Sequence, residues 1–213
     1  MPAHQDALAG RGGETPPPAL LPVVLPVHLG EDLPRSQWLA SQRAAARAAL
    51  DRAAARFGIS LPADLPRDER GAPLLLAGIG WSVSHKPSVC AAVVGWGAMG
   101  IDIEEIRPRQ PDLVGRVGTA AEWAILGGRG PAELFRLWTA KEAVLKAAGI
   151  GIAGLDRCRI TGRPGEGELA LVLDGRAFLV ALYGTAAWQA AVVKAPGQAV
   201  SWEKGEGQDG SGR

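Results

Sequence analysis

The sequence predicts an α+β protein of two similar lobes, in which each lobe has one principal helix packed on a small, mainly antiparallel sheet. Two long segments carry helical spacing of apolar or alanine residues, and each stops at a glycine. Short strand patterns accompany both helices, and Gly, Pro or Asp residues separate the strands. Each half contains one principal helix and several short strands. Two lobes, 19–108 and 109–203, therefore fit the pattern better than one doubly wound sheet.

The first lobe begins with a strand pattern over residues 20–29, LLPVVLPVHL, whose prolines predict a sheet edge or an interrupted strand. The segment PRSQWLASQRAAARAALDRAAARFGI predicts a long helix that ends at Gly58. The alternating piece WSVSH and the apolar run VCAAVVGWGAMGIDI follow as strands. The helix positions predicted to face inward are Trp38, Ser41 or Gln42, Ala45 and Ala49.

The second lobe starts with TAAEWAILGG, where Thr119 as N-cap and Glu122 three residues later form a capping-box signature. The segment PAELFRLWTAKEAVLKAAG follows as the principal helix, with Pro131 in its first turn and Gly149 at its end. Three strand patterns come next, ELALVLD, RAFLVALYG and AWQAAVVKA. The Asp174-Gly175 pair between the first two is typical of a hairpin turn.

Composition narrows the class of protein. The 213 residues are 47% hydrophobic and 21% charged, which is typical of a globular chain, and the Gly-rich flanks 1–18 and 204–213 are predicted to be disordered. A formal net charge of +1 provides no global attraction to nucleic acid or to an anionic membrane. No signal peptide or bilayer-length apolar segment is evident, and Cys90 and Cys158 are typical of reduced thiols, so a cytoplasmic protein is expected.

A pair of carboxylates ends the apolar strand of the first lobe. Asp102 and Glu104 in GIDIEEIRPR are two residues apart, so on a strand both side chains leave the same face. Burying a carboxylate without a partner is costly, so the pair needs a cation, a helix N-terminus or water. A hard divalent cation is one interpretation, and a solvated strand end is the other.

The principal helix of the second lobe holds another candidate, WTAKEAVLKAAG. Glu142 and Lys146 lie one turn apart, which is also the spacing of an ordinary surface ion pair. Trp138 shares a face with Glu142 and favours a position at the edge of the core. The third candidate, WSVSHKPS, clusters donors at a strand end, which suits either a phosphate or a hydrogen-bonded turn.

Other catalytic motifs are absent from the sequence. It contains no GxSxG element and no P-loop, and its histidines are too scattered for a zinc site. Covalent nucleophilic catalysis therefore finds no support in these motifs.

In their order along the chain, WSVSH, GIDIE and WTAKEAVLKAAG closely resemble the motifs of the 4′-phosphopantetheinyl transferase superfamily, over about residues 71–151. The chain length and two lobes resemble the surfactin-type subfamily, a single-chain pseudodimer, so a monomer is expected. The resemblance implies transfer of the 4′-phosphopantetheine group of coenzyme A to a serine of an apo acyl or peptidyl carrier protein. It also implies Mg²⁺ as cofactor, with Mn²⁺ acceptable to the same oxygen ligands, and 3′,5′-adenosine bisphosphate as the released product.

The resemblance assigns catalytic and metal-binding roles to five positions. It implies that Asp102, Glu104 and Glu142 bind Mg²⁺ and that Lys141 and Lys146 face the phosphates of coenzyme A, with Lys146 nearest the chemistry. Glu142 is also the residue expected to take the serine proton. Glu122 matches a glutamate of the family with less certainty.

At the nucleotide end the resemblance implies contacts from Ser84 and His85, and it places His85 and Arg43 near the 3′-phosphate. The family's Gly-Lys-Pro is Gly-Ala-Pro here, so Ala72 replaces a lysine. Lys86 follows the histidine where the family has serine, and we expect it to supply the missing cation.

Alternatives stay open at this stage. The same carboxylates suit a metal-dependent phosphohydrolase, and the missing lysine suits a catalytically weak or inactive homologue that binds coenzyme A or a megasynthase. An acidic carrier domain would dock on basic and apolar residues near the lobe junction, although a solvated basic linker explains them equally well. The candidates are Arg107, Arg109, Val114, Arg116 and Val117.

Overall fold

A computed structural model describes residues 17–28, 34–108 and 111–205. The predicted disordered flanks fall outside this range except for residues 17–18 and 204–205. The helices are α1 (Arg35–Arg56), α2 (Pro111–Val117), α3 (Ala120–Leu126) and α4 (Pro131–Ala148), with a 3₁₀ helix at Ile152–Arg157. The strands are β1 (Val23–Pro26), β2 (Ile79–His85), β3 (Val89–Trp96), β4 (Ile101–Glu105), β5 (Cys158–Gly162), β6 (Glu168–Leu173), β7 (Arg176–Gly184), β8 (Trp188–Lys194) and β9 (Glu203–Lys204).

The strands form two sheets, which confirms the predicted α+β class. The first has the order β2-β3-β1-β9 and the second β4-β8-β7-β6-β5. Neighbouring strands are antiparallel, except that β9 lies parallel to β1. Helix α1 packs on the first sheet, and α4 packs on the second.

The two sheets face each other between the helices. Strand β3 is buried on both faces. Its alternate side chains point in opposite directions, so they enter two different clusters. Cys90 and Ala92 join the cluster under α1, whereas Ala91 and Val93 join a cluster with Ile103 of β4. This inter-sheet cluster explains why VCAAVV is a continuous apolar run rather than an alternating one.

Strand pairing crosses the predicted lobe boundaries at both ends. Strand β4 precedes residue 109 but pairs with β8, so it is the edge of the second sheet. Lys204, which the sequence assigns to a disordered tail, pairs with Val24 in the first sheet. The exchange holds the site strand β4 beside β2 of the other sheet, with Ser84 in hydrogen-bond contact with Asp102.

One local prediction for the first lobe is wrong, because Trp38 is 40% exposed rather than turned inward, whereas Gln42 and Ala49 are buried as expected. Of the two alternatives for the first strand, the interrupted strand is observed, since β1 is limited to Val23–Pro26 and Leu20 forms a separate bridge with Val200. Strand β1 is not at the sheet edge, because β3 and β9 pair on its two sides. On its side, β9 pairs only with Val23 and Val24. No neighbouring strand therefore requires a hydrogen bond from the backbone nitrogen of Pro26, which has no hydrogen to donate.

The helix and turn signals of the second lobe are confirmed. Thr119 caps α3, and its hydroxyl and the Glu122 carboxylate form the reciprocal capping box. Helix α4 has proline in its first turn and ends at Gly149 in a left-handed conformation. Asp174 and Gly175 both have positive φ, as a tight turn between β6 and β7 requires.

The cysteines are free and buried, as expected for reduced thiols. Burial raises the pKa of both the Cys90 and the Cys158 thiol to about 11, so neither supplies a thiolate at neutral pH. Across the parts of the chain that the structure describes, no helix combines the length and apolar character needed to cross a membrane.

Candidate functional site

Asp102 lies where the two sheets and α4 meet. It is 3% exposed, and its Oδ1 atom accepts hydrogen bonds from Ser84 Oγ and Lys146 Nζ, both at 2.7 Å. Lys146 Nζ also donates to the Ile101 carbonyl at 3.1 Å. Strand β2 and α4 therefore each donate one hydrogen bond to the same carboxylate oxygen on β4.

Gly100 makes this meeting geometrically possible. A Cβ atom at this position would lie 1.9 Å from the Ala143 carbonyl oxygen and 2.7 Å from the Ala147 nitrogen on α4. No side chain fits there without moving the helix. The glycine therefore fixes how closely β4 approaches the helix that carries Glu142 and Lys146.

We expect Gly100→Ala to lower the free energy of unfolding by at least about 1–3 kcal/mol, because the added methyl group overlaps backbone atoms of α4. Denaturant unfolding measures the change. Gly115→Ala in α2 is the control, since nothing lies within 4 Å of its added Cβ, and it should leave stability unchanged or raise it. Equal stability of both variants would contradict the close approach.

Glu142 lies one turn before Lys146 on α4, at the edge of the core as Trp138 predicts. Burial and the neighbouring carboxylates of Asp102 and Glu104 raise the pKa of Glu142, and the nearby Lys146 and Lys86 only partly oppose them. The three predicted metal ligands therefore influence one another electrostatically.

Two carboxylate oxygens at this point are buried without a hydrogen-bond partner, Asp102 Oδ2 and Glu142 Oε1. A buried charged oxygen without a partner is costly unless a cation or another donor reaches it. Oxygen ligands from one or two carboxylates suit a hard divalent cation, which completes its shell with water and substrate phosphates. These two residues therefore fit a metal site.

Glu104 is engaged differently. Its Oε1 atom lies 2.7 Å from Lys86 Nζ, and its side chain is 9% exposed. Among residues 17–28, 34–108 and 111–205, no three or more His, Cys, Asp or Glu side chains are already arranged around a metal position. The three-carboxylate metal site of Asp102, Glu104 and Glu142 stays a prediction.

Basic side chains lie near these carboxylates, among them the predicted nucleotide-binding residues His85 and Arg43. His85 and Arg43 are both exposed, as an anion site requires. Partial burial, together with the positive charges of Lys86, Lys146 and Arg43, lowers the pKa of His85. The predicted nucleotide-end cations therefore lie near one another, while the hydroxyl of Ser84 is already donated to Asp102.

The pKa of His85 offers a test of this cluster. We expect it to titrate below the ordinary value of 6.5 in the ligand-free protein and to rise when an adenosine 3′-phosphate binds, because an adjacent anion favours the imidazolium. NMR of the imidazole measures both values, with Arg43→Ala as the companion variant. Removing that charge should raise the free-state pKa, and a fall would contradict the proximity of Arg43.

A cavity of about 280 Å³ opens beside this site, between the loop before β2 and the end of α4. Lys146 and Ser82 line it together with Arg67, Arg70 and Gly71. A larger cavity of about 460 Å³ lies farther along α4 and contains none of the predicted site residues in its lining. The smaller cavity reaches the site through Lys146, which lines the cavity and contacts Asp102.

Sequence reasoning missed the two arginines of this cavity. Asp68 orders their loop, because its Oδ1 atom accepts hydrogen bonds from the Arg70 and Ala72 backbone nitrogens at 3.0 and 2.7 Å. The Arg67 guanidinium lies 4.5 Å from the ring centre of Trp81 and donates to the Gly71 carbonyl at 2.7 Å. The Asp-x-x-Gly turn in RDERGAP was the available signal.

The predicted contact of Lys141 with coenzyme A phosphates does not fit the structure. Its side chain is 0% exposed, and Nζ lies 2.7 Å from Glu122 Oε1 and 2.8 Å from the Val117 carbonyl. Adjacent helix residues are rotated by about 100°, so Lys141 points into the second lobe while Glu142 points at Asp102. Lys141 is a buried structural cation.

Glu122, its partner, is also structural in this geometry. The Oε1 atom accepts from the Ile160 backbone nitrogen at 3.1 Å, and Oε2 accepts from Thr119. Burial alone would raise the pKa of Glu122, but the bonds from Lys141 and Thr119 hold it below its ordinary value. The pair connects α3, α4 and β5.

The predicted carrier-docking residues differ in how far they are exposed to a partner. Val117 is 1% exposed within the core and cannot contact a partner. Arg107 pairs with Glu105, and Arg116 is exposed. Val114 is partly buried against the core, and Arg109 lies outside the described residues.

Comparison with known families identifies the chain. Residues 98–195 match the model of the 4′-phosphopantetheinyl transferase superfamily, and residues 37–95 match that of the 4′-phosphopantetheinyl transferase N-terminal domain. The two matches follow each other and contain the Ser-His strand, β4 and α4. The chain belongs to the 4′-phosphopantetheinyl transferase superfamily.

A curated relative agrees with this assignment. The chain is similar to the 4′-phosphopantetheinyl transferase HetI of a Nostoc species, with 32% identity over 111 residues. The alignment covers 46% of this chain and 47% of HetI, so the chain spans about half the length of the curated relative it matches. Transferases of this superfamily use coenzyme A and a divalent metal.

Proposed function

We propose that the protein transfers the 4′-phosphopantetheine group of coenzyme A to a serine of an apo acyl or peptidyl carrier protein. The observation that supports this most is the pair of unpartnered oxygens on Asp102 and Glu142 beside a basic cavity. Carboxylates alone would repel a pyrophosphate, whereas carboxylates that bind a cation attract it. The activity, the carrier and the use of Mg²⁺ all belong to this proposal.

In the proposed site Asp102 and Glu142 hold Mg²⁺ or Mn²⁺, with Glu104 as a third ligand. The cation, when bound, neutralises charge on the pyrophosphate of coenzyme A. Lys146, which contacts Asp102 Oδ1 in the structure, binds the phosphate that is transferred. Arg43 and His85 bind the 3′-phosphate.

The reaction requires a base for the carrier serine. Its hydroxyl oxygen attacks the β-phosphorus, a new P–O bond forms, and the anhydride bond to 3′,5′-adenosine bisphosphate breaks. We assign the serine proton to the other carboxylate oxygen of Glu142, Oε2, because the unpartnered Oε1 atom is the one that would hold the metal.

The nucleotide is assigned to the cavity lined by Arg67, Arg70 and Lys146. A guanidinium binds phosphate oxygens with two parallel hydrogen bonds, so Arg70 is a second candidate, besides Lys86, for the charge that Ala72 does not supply. Surfactin-type membership, a monomeric state and a cytoplasmic location complete the proposal.

Mass spectrometry of a carrier tests the proposed function. The protein is mixed with coenzyme A, Mg²⁺ and an apo-carrier, and the intact carrier and the nucleotide products are measured. A phosphopantetheine adduct with release of 3′,5′-adenosine bisphosphate supports transfer. Hydrolysed coenzyme A with an unmodified carrier indicates a phosphohydrolase, and intact coenzyme A indicates an inactive binding protein.

A further inference from the structure

Lys86 bridges the two sheets at the acidic site. It follows β2, where its backbone nitrogen bonds the Val89 carbonyl at 2.7 Å, and its ammonium lies 2.7 Å from Glu104 Oε1 on β4. Lys146 forms the equivalent contact with Asp102 Oδ1 from α4. Two carboxylates of one strand thus each have a lysine from a different element.

We propose that Lys86 is an exchangeable counter-ion, which holds Glu104 in the metal-free protein and leaves it when a divalent cation binds. The released ammonium then turns to the anionic end of coenzyme A. This inference rests on the proposed function and gives Lys86 a partner that the sequence did not indicate, Glu104, besides coenzyme A.

Charge and burial support the exchange. The Glu104 side chain is only 9% exposed, so it requires a counter-charge with or without metal. A divalent cation at Asp102 and Glu142 places two positive charges beside the Lys86 ammonium and repels it. The Lys86 side chain is 32% exposed on a flexible four-carbon stem, so it reaches solvent without crossing the core.

Lys146 is anchored more firmly. Its ammonium also donates to the Ile101 carbonyl, which holds it on Oδ1 and leaves Asp102 Oδ2 available to a metal. The asymmetry makes Lys86 the cation that moves and Lys146 the one that stays. Metal and Lys86 therefore compete for Glu104, while metal and Lys146 divide Asp102 between its two oxygens.

Competition between Lys86 and the metal predicts the direction in which metal affinity changes when Lys86 is replaced. Removing the Lys86 ammonium should tighten metal binding in the absence of coenzyme A by about tenfold, the effect of one modest ion pair. Binding free energies of two ligands are coupled reciprocally, so the same change should reduce the factor by which metal strengthens coenzyme A binding. A lysine that merely attracted coenzyme A would leave metal affinity unaffected or lower only the nucleotide affinity.

Electron paramagnetic resonance of free Mn²⁺ measures metal affinity without turnover. We would titrate the wild-type protein, Lys86→Met and Lys204→Met. The control removes the same charge from β9, at the opposite edge of the first sheet from β2. We expect Lys86→Met to bind Mn²⁺ about tenfold more tightly than the wild type and Lys204→Met to match the wild type.

A double-variant cycle separates exchange from a general change in charge. In the Glu104→Gln background the Lys86→Met effect should vanish, because the competition concerns that carboxylate. Equal or weaker Mn²⁺ binding by Lys86→Met, or an equal gain in the Glu104→Gln background, would overturn the exchange while the proposed function stands. Absence of Mn²⁺ binding in the wild type and in every variant would overturn both.

Discussion

Replacing Lys141 by methionine is expected to lower the free energy of unfolding by about 3–5 kcal/mol. The substitution leaves Glu122, which is 2% exposed, as a buried carboxylate without its cation. It also removes the donor to the Val117 carbonyl, so α4 loses its connection to the segment before α3. Chemical denaturation in urea measures this loss, and we expect the proposed transfer activity to fall only as far as folding does.

Removing both charges tests the origin of that loss. Lys141→Met combined with Glu122→Leu should recover part of the lost stability, because no buried charge is left without a partner. Arg157→Met is the matched control, since its pair with Asp174 is exposed on both sides and should contribute at most about 1 kcal/mol. A Lys141→Met variant as stable as this control would contradict the structural role of the buried pair.

Replacing Glu142 by glutamine is expected to lower kcat about 10²–10⁴-fold, the usual contribution of a positioned base. The amide keeps the shape of the side chain but neither accepts the serine proton nor contributes charge to metal binding. Intact-mass assays of a carrier measure the rate. Glu133→Gln, in the first turn of the same helix, is the control and should retain the wild-type rate.

The same variant has an opposite effect on stability. Burial and the Asp102 charge raise the pKa of Glu142 above its ordinary 4.5, so the folded protein binds this proton more tightly than the unfolded chain. The stabilisation is complete below about pH 4.5 and is lost as the pH rises through the folded-state pKa. Without metal at pH 7, Glu142→Gln should therefore be at least as stable as the wild type, and a clear loss of stability would contradict the repulsion.

Local signals carried the predictions that the structure confirms. The Thr119–Glu122 capping box and the Asp174-Gly175 turn involve residues within a few positions of one another, so their geometry follows from the local chain. The motifs that contain Asp102 and Glu142 are each weak evidence for a metal site when taken alone. Their motif order made them candidates, and the structure brings both to the contact between β4 and α4.

Contacts between distant segments could not be predicted in this way. The assignment of β4 to the second sheet depends on pairing with β8, more than eighty residues later. The neighbours Lys141 and Glu142 have opposite surroundings because the orientation of α4 decides which one meets the core. Arg67 and Arg70 enter the site only because their loop folds back over the end of α4.

A crystal structure with coenzyme A and Mn²⁺ would test the central claim most directly, since anomalous scattering locates the metal independently of the protein. We expect a Mn²⁺ peak in contact with Asp102 Oδ2 and Glu142 Oε1, with the nucleotide in the cavity beside Arg70 and Lys146. A metal peak away from both carboxylates, or a nucleotide bound elsewhere on the protein, would contradict it.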